Sequence, residues 1–112
     1  ENTQQAATFI RYMNAINDYL HQHPERRTSG GRLTSAQLGI PGTDTVSHII
    51  SQQRVFVWAT ETPGLMAALR EQCNDSALLG RVENGRLLDT AGRALSITLP
   101  SVIPDHVILW MN

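Results

Sequence analysis

The side chains best suited to catalysis or metal binding are four histidines and one cysteine, and their spacing limits what they can do. His21 and His23 are two residues apart in a predicted helix. Side chains at that spacing point about 200° apart around a helix axis. The two rings therefore cannot hold one metal ion while the helix persists.

His48 and His106 occur singly on predicted strands, and Asp105 directly precedes His106. A metal site or hydrolytic site built from these three residues would require the fold to bring them together. Scattered residues of these types are more often surface groups or hydrogen-bonded structural groups than ligands. We therefore expect no metal ion at this set.

Cys73 is predicted on the buried side of a helix near its C-terminal end, where the helix dipole disfavours the thiolate that a nucleophile requires. We interpret it as a small core residue. Because it is the only cysteine, it forms no internal disulfide.

The remaining local signals for chemistry are weak. Glycine-bearing loops at residues 29–31 and 39–42 lack the preceding strand and following helix that cradle a phosphate. The ten acidic residues show no spacing that pairs two carboxylates for acid–base catalysis. The sequence thus predicts no catalytic, cofactor-binding or metal-binding residue, and no cofactor.

Composition narrows the range of partners. Nine arginines and no lysine stand against ten acidic residues, which gives a net charge of −1. No basic stripe is available to neutralise phosphates, so we expect no nucleic acid partner. Apolar runs reach about six residues, far short of the roughly 20 that span a bilayer. The 112 residues predict a single domain with one modest core.

The strand predicted over residues 54–60 organises the surrounding elements. Val55, Val57 and Ala59 point to one face and Phe56 and Trp58 to the other. Both faces are apolar, so the strand requires cover on two sides. Two amphipathic helices are the candidate covers, one on each side, and they are predicted over residues 6–20 and 63–73.

The other elements follow from turn and cap signals. Residues 25–32 predict an exposed, mobile loop, and Thr34 and Gly39 bracket a single helical turn. Hairpins, strands and their connections are predicted over residues 46–60, 78–89, 95–99 and 106–111, with Asn84-Gly85 as the second hairpin turn. The expected fold is α+β, with a long N-terminal amphipathic helix and a second helix packed on a mostly antiparallel β-sheet.

Four aromatic side chains are candidates for contact with a partner. Tyr12 and Tyr19 are seven residues apart and flank the buried stripe of the first helix along one edge. Trp58 and Trp110 are the largest apolar side chains on the predicted strands. Such residues dominate many interfaces, although in a domain of this size they more often border or complete the core. Both interpretations remain open at this point.

The residue chemistry indicates no function, but a resemblance to a known family does. It is carried by the first helix at residues 9–19, by Gln37-Leu38-Gly39-Ile40-Pro41 and Val55-Phe56-Val57-Trp58, and by residues 63–65, 76–80, 85–88, 99–100 and 103–104. In their order and spacing, these segments resemble the PilM family of the type IVb (thin) pilus systems encoded on conjugative plasmids and related islands. The resemblance covers nearly the whole chain.

The resemblance implies a non-enzymatic component of the pilus assembly apparatus at the inner membrane, and it brings no catalytic residue. In that family a soluble domain follows an N-terminal transmembrane segment. Because the chain starts at Glu1 rather than Met, we expect a preceding membrane anchor to be missing here. Residues 1–112 would then form a single soluble, periplasm-facing domain. Its expected partners are other pilus assembly proteins or further copies of itself.

Two alternatives remain. The globular domain of a minor pilin or pseudopilin also consists of a long N-terminal helix followed by an antiparallel sheet. A small metal-dependent hydrolase would instead require a pocket in which His48, His106 or Cys73 converges with an acid.

Overall fold

The fold is α+β, as the sequence predicts, and the computed structural model describes residues 2–42, 45–72 and 78–112. Within these residues, five strands form one antiparallel sheet in the order β1-β2-β5-β3-β4. The elements in chain order are α1 (Asn2–Gln22), α2 (Glu25–Ser29), α3 (Ser35–Leu38), β1 (Val46–Ser51), β2 (Arg54–Thr60), α4 (Leu65–Gln72), β3 (Leu78–Glu83), β4 (Arg86–Leu88) and β5 (Val107–Met111).

Two-residue turns close both hairpins. Gln52 and Gln53 link β1 to β2 with φ of 54° and 66°, and Asn84 and Gly85 link β3 to β4 with φ of 53° and 75°. Positive φ at both central residues gives a turn whose twist matches that of the flanking strands. The second turn follows from its Asn-Gly sequence, whereas glutamine rarely adopts this conformation. Both predicted hairpins are confirmed.

The strands predicted to be apolar on both faces, β2 and β5, lie next to each other and β5 is central. Residues 55–59 of β2 and all of β5 are buried. The last strand begins at Val107 rather than at His106, because His106 has φ of 68°. Cys73, predicted in the helical core, lies outside the described residues.

Both long helices cover the same face of the sheet, which corrects the expectation of one helix on each side. The apolar stripe of α1 and the residues Leu65 and Leu69 of α4 belong to one cluster, here called the helix-face core. Its members are Ala6, Phe9, Met13, Ile16, Leu20, Leu33, Val46, Ile50, Val55, Val57, Ala59, Leu65, Leu69, Ile108 and Trp110. The two helices also contact each other. The sequence gives each helix an apolar stripe but does not say which sheet face the stripe meets.

An irregular segment, residues 94–104, covers the opposite face. The core beneath it contains Phe56, Trp58, Val82, Leu87, Ile103, Val107, Leu109 and Met111, here called the second core. Leu95, Ile97 and Leu99 pack on this core, which accounts for their alternation with polar residues. The strand predicted over residues 95–99 is therefore wrong. After a single bridge from Ala94 to Leu88, the chain leaves the sheet edge and crosses the face.

Two local expectations are corrected. Residues 25–29, predicted as part of a loop, form the short helix α2, because Pro24 has helical φ and ψ of −63° and −22° and starts a turn instead of preventing one. Helix α4 begins at Leu65 rather than at Pro63, since Gly64 has φ of 83°, outside the helical region. The helical turn after Thr34 is confirmed, with a capping box between Thr34 and Gln37 and a left-handed Gly39.

His48 joins α1, β1 and the segment before α3. It is 3% exposed and lies on the helix-covered face of β1. The Leu33 N–H donates to Nε2 at 2.9 Å, so Nε2 carries no proton and the Nδ1–H donates to the Tyr12 hydroxyl, also at 2.9 Å. Burial, with a smaller contribution from the positive charge of Arg32, lowers the pKa of His48 to about 4. The ring is therefore a neutral structural group at neutral pH.

The irregular segment is expected to stabilise the fold by covering the second core. Substitutions at two adjacent residues of this segment test that contribution. Ile103 is 7% exposed and Val102 is 44% exposed. Ile103→Ala is expected to lower the free energy of unfolding by about 2 kcal/mol or more, because it leaves a cavity beside the sheet. Val102→Ala serves as the control and is expected to cost less than about 0.5 kcal/mol. Urea denaturation measures both, and equal effects would contradict this account of the second face.

Protonation of His48 is expected to destabilise the fold in mild acid. The unfolded chain binds a proton at this residue below its ordinary pKa of 6.5, whereas the folded chain does so only near 4. Stability is thus lost as pH falls through this window, by about 2 kcal/mol between pH 7 and pH 5. Urea denaturation at both pH values measures the loss. His48→Gln keeps one acceptor and one donor without titrating, so its stability should fall less over the same interval.

Candidate functional site

A concave surface in the described part of the chain is a trough of about 830 Å³ along the outer side of α1. α3 and Ile40 form one wall, and α4 forms the other. Its lining residues are Ala6, Ala7, Ile10, Arg11, Asn14, Ala15, Asp18, Tyr19, Gln22, Gln37, Leu38, Ile40, Ala68 and Glu71. We call this surface the α1 trough.

Hydrogen bonds fix the walls of the trough at opposite ends of α1. At the C-terminal end, the Gln37 amide donates to the Tyr19 hydroxyl at 3.2 Å, next to α3. At the N-terminal end, the Thr62 hydroxyl donates to the Gln5 amide oxygen at 2.7 Å, close to the start of α4. The sequence predicts that Leu33, Leu38 and Ile40 anchor the α3 turn to the core. In the structure Leu33 is buried in the helix-face core and Leu38 packs against it. Leu38 and Ile40 are half-buried and also line the trough.

The chemistry of the α1 trough suits binding rather than catalysis. Its apolar surface comes from alanines and from Ile10, Leu38 and Ile40, and its charges come from Arg11, Asp18 and Glu71. None of the residues lining it is a histidine or cysteine. An apolar base with a few charges is typical of a groove that receives a protein segment.

The two tyrosines proposed as interface candidates have different environments. Tyr19 lines the α1 trough, and its ring lies 4.3 Å from the His23 ring, centroid to centroid. Tyr12 lies on the same edge of α1 but does not line the trough, and its hydroxyl hydrogen-bonds to His48 Nδ1. Both are half-buried. The structure therefore places one of the two on the concave surface.

The two tryptophans lie in the two cores on opposite faces of the sheet. Trp58 is 6% exposed in the second core, and Trp110 is 3% exposed in the helix-face core. Neither ring is available at the surface of this conformation. The Trp110 indole N–H has no hydrogen-bond partner among the described residues.

The three residues considered for a metal site or hydrolytic site are not brought together. His48 is buried beneath α1, whereas His106 is exposed beside the β3–β4 turn, with Nδ1 3.1 Å from a Glu83 carboxylate oxygen. The Asp105 carboxylate accepts from the Gly85 N–H of that turn at 2.9 Å. Among residues 2–42, 45–72 and 78–112, no cluster of three or more histidine, cysteine or acidic side chains could hold a metal ion.

Sequence reasoning did not find the α1 trough, because its lining comes from three elements and the intervening loop. One signal was present. The outer side of α1 carries Ala7 and Ala15 among its polar residues, and small side chains on an exposed helix face permit close approach by another segment. The positions of α3 and α4 beside that face could not be read from the sequence.

Comparison of the sequence with family models and comparison of the fold with solved structures give the same result. The family model described as PilM matches residues 1–111. The chain is similar to a crystal structure of a protein named PilM from Escherichia coli B7A, with 78% identity and a TM-score of 0.91, covering 100% of this chain and 91% of the other. No curated protein matches the chain.

A second crystal structure, of a protein named pilM from Pseudomonas aeruginosa 2192, shares the fold. It has 24% identity and a TM-score of 0.55, and the alignment covers 98% of this chain and 92% of the other. In the part of the chain that the structure describes, no helix is both long and apolar enough to cross a membrane. Two findings agree on the family: the match of the family model over nearly the full length, and the 78% identical structure. The chain belongs to the PilM family.

Proposed function

We propose that this chain is a non-enzymatic structural component of a type IV (thin) pilus assembly apparatus, acting through protein–protein contacts at the inner membrane. The observation that carries the proposal is the PilM family match over residues 1–111. Membership in this family suggests a role in pilus assembly. The nature of the described surface supports a binding role within it.

Three structural features favour contact over catalysis. Phe56 and Trp58 are buried in the second core. Both nitrogens of His48 are occupied by structural hydrogen bonds. The α1 trough offers apolar surface and a few charges, and none of its lining residues is a histidine or cysteine. These features argue against the small metal-dependent hydrolase considered from the sequence, and the family match favours an assembly component over the globular domain of a minor pilin.

The proposed location is the periplasmic side of the inner membrane, in a longer protein whose N-terminal anchor precedes α1. This placement rests on the family resemblance of the sequence. The proposed partners are other pilus assembly proteins.

Recovery of partners from membranes tests the assembly role. The full-length protein, affinity-tagged at its C-terminus, is solubilised from membranes of piliated cells and purified, and mass spectrometry identifies the proteins that accompany it. Other pilus assembly components are expected to be enriched over a purification from cells that carry the same tag on an unrelated inner-membrane protein. Enrichment of none of them would contradict the proposal.

Substitution of the reactive side chains tests the absence of catalysis. His106→Ala and Cys73→Ser each remove a group that could take part in proton transfer or nucleophilic attack, and His106 is exposed. Cells expressing either variant as the only copy are expected to assemble pili at the wild-type level, as counted by electron microscopy. Loss of pili with an unchanged amount of the variant protein, measured by immunoblot, would indicate a chemical role.

A further inference from the structure

The outer side of α1 has a pattern that a helix needs for pairing with a copy of itself. Eight of the nine α1 residues that line the trough form pairs at equal distances from the midpoint between Asn14 and Ala15, and Ala6 is the exception. The equidistant pairs on the two sides of that midpoint are Asn14 with Ala15, Arg11 with Asp18, Ile10 with Tyr19 and Ala7 with Gln22. All eight of these residues line the α1 trough.

Of these pairs, Arg11 and Asp18 carry opposite charges, and their surroundings indicate what could bind here. Arg11 and Asp18 are both exposed, and neither side chain has a hydrogen bond or ion pair with any other residue in the described ranges. They are seven residues apart, so they point in nearly the same direction but lie about 10 Å apart along the axis. Helical ion pairs form at spacings of three or four, so the two charges cannot neutralise each other within one chain.

A two-fold axis beside α1, level with that midpoint and perpendicular to the helix, pairs both charges with charges of the second copy. When a second α1 lies antiparallel across the first, Arg11 of each copy faces Asp18 of the other. The same rotation places the small Asn14 and Ala15 at the crossing. In an isologous contact of this kind, each complementary pair occurs twice.

The walls of the trough permit this approach. α4 borders the N-terminal half of α1 and α3 borders the C-terminal half, on opposite sides. The two-fold rotation reverses position along the helix but keeps each wall on its own side, so α3 of one copy lies beside the N-terminal half of the other α1, on the side that α4 leaves open. The half-buried Leu38 and Ile40 would then meet that half of the second α1 and lose their contact with water.

From this pattern we propose that the α1 trough is the interface of a homodimer in which two α1 helices pack antiparallel, with reciprocal Arg11–Asp18 ion pairs. A second copy is favoured over an unrelated helix because opposite charges at equal distances from one midpoint are the requirement of a self-complementary surface, and an unrelated partner imposes no such symmetry. The inference concerns the purified chain alone and does not depend on the pilus assembly role.

Charge reversal and rescue test the pairing. Sedimentation velocity over a concentration series gives the dissociation constant of the dimer for residues 1–112. R11E places Glu opposite Asp18 of the second copy, and D18R places Arg opposite Arg11, at two sites each. Either variant is expected to raise the dissociation constant by about tenfold or more. The double variant R11E/D18R restores opposite charges across the axis and is expected to dimerise within about threefold of the wild type.

R86E is the matched control, since Arg86 is exposed on β4, away from α1, and its reversal should leave the dissociation constant unchanged. Circular dichroism of each variant confirms that the fold is intact. Rescue by the double variant supports the antiparallel dimer, because loss of a merely structural charge would not be recovered. A chain that stays monomeric at all concentrations overturns the proposal. Dimers insensitive to R11E and D18R also overturn it.

Discussion

The fold depends on the two-faced apolar character of β2 and β5. Because side chains alternate across a strand, two adjacent strands that are apolar at nearly every position present two hydrophobic surfaces, and neither can be left in water. One surface is covered by α1 and α4 together, and the other by a segment without regular structure. The placement of the other elements follows from the need to cover these surfaces.

Filling both faces has a consequence for function. The two cores use the large side chains, including both tryptophans, to fill the space on either side of the sheet. His48 is the buried polar residue in the described part of the chain. Its two ring nitrogens form hydrogen bonds that hold α1 and the segment at Leu33 to the sheet. What remains for recognition is the outer surface, where the α1 trough combines apolar area with unpaired charge.

Local sequence signals predicted the elements well and their arrangement less well. The apolar spacing of α1, the Thr34 capping box and the Asn84-Gly85 turn each act within a few residues, so the sequence determines them directly. Which face of the sheet α4 covers depends on contacts between distant segments, and so does the path of residues 94–104. The alternation of Leu95, Ile97 and Leu99 was misleading, because a segment lying on a sheet face also buries every second side chain. The α1 trough was missed for the same reason, since its walls come from elements separated along the chain.

The hydrogen bonds around His48 also bear on how the domain carries mechanical load. The apolar stripe of α1 packs against the sheet over residues 6–20. Near the middle of the helix, Tyr12 is hydrogen-bonded to His48 of β1. A pull along the helix axis loads these contacts in parallel, as shear, and they must yield together. A force that lifts one end of α1 breaks them in succession, as peeling. The domain should therefore resist tension along α1 more strongly than tension across it.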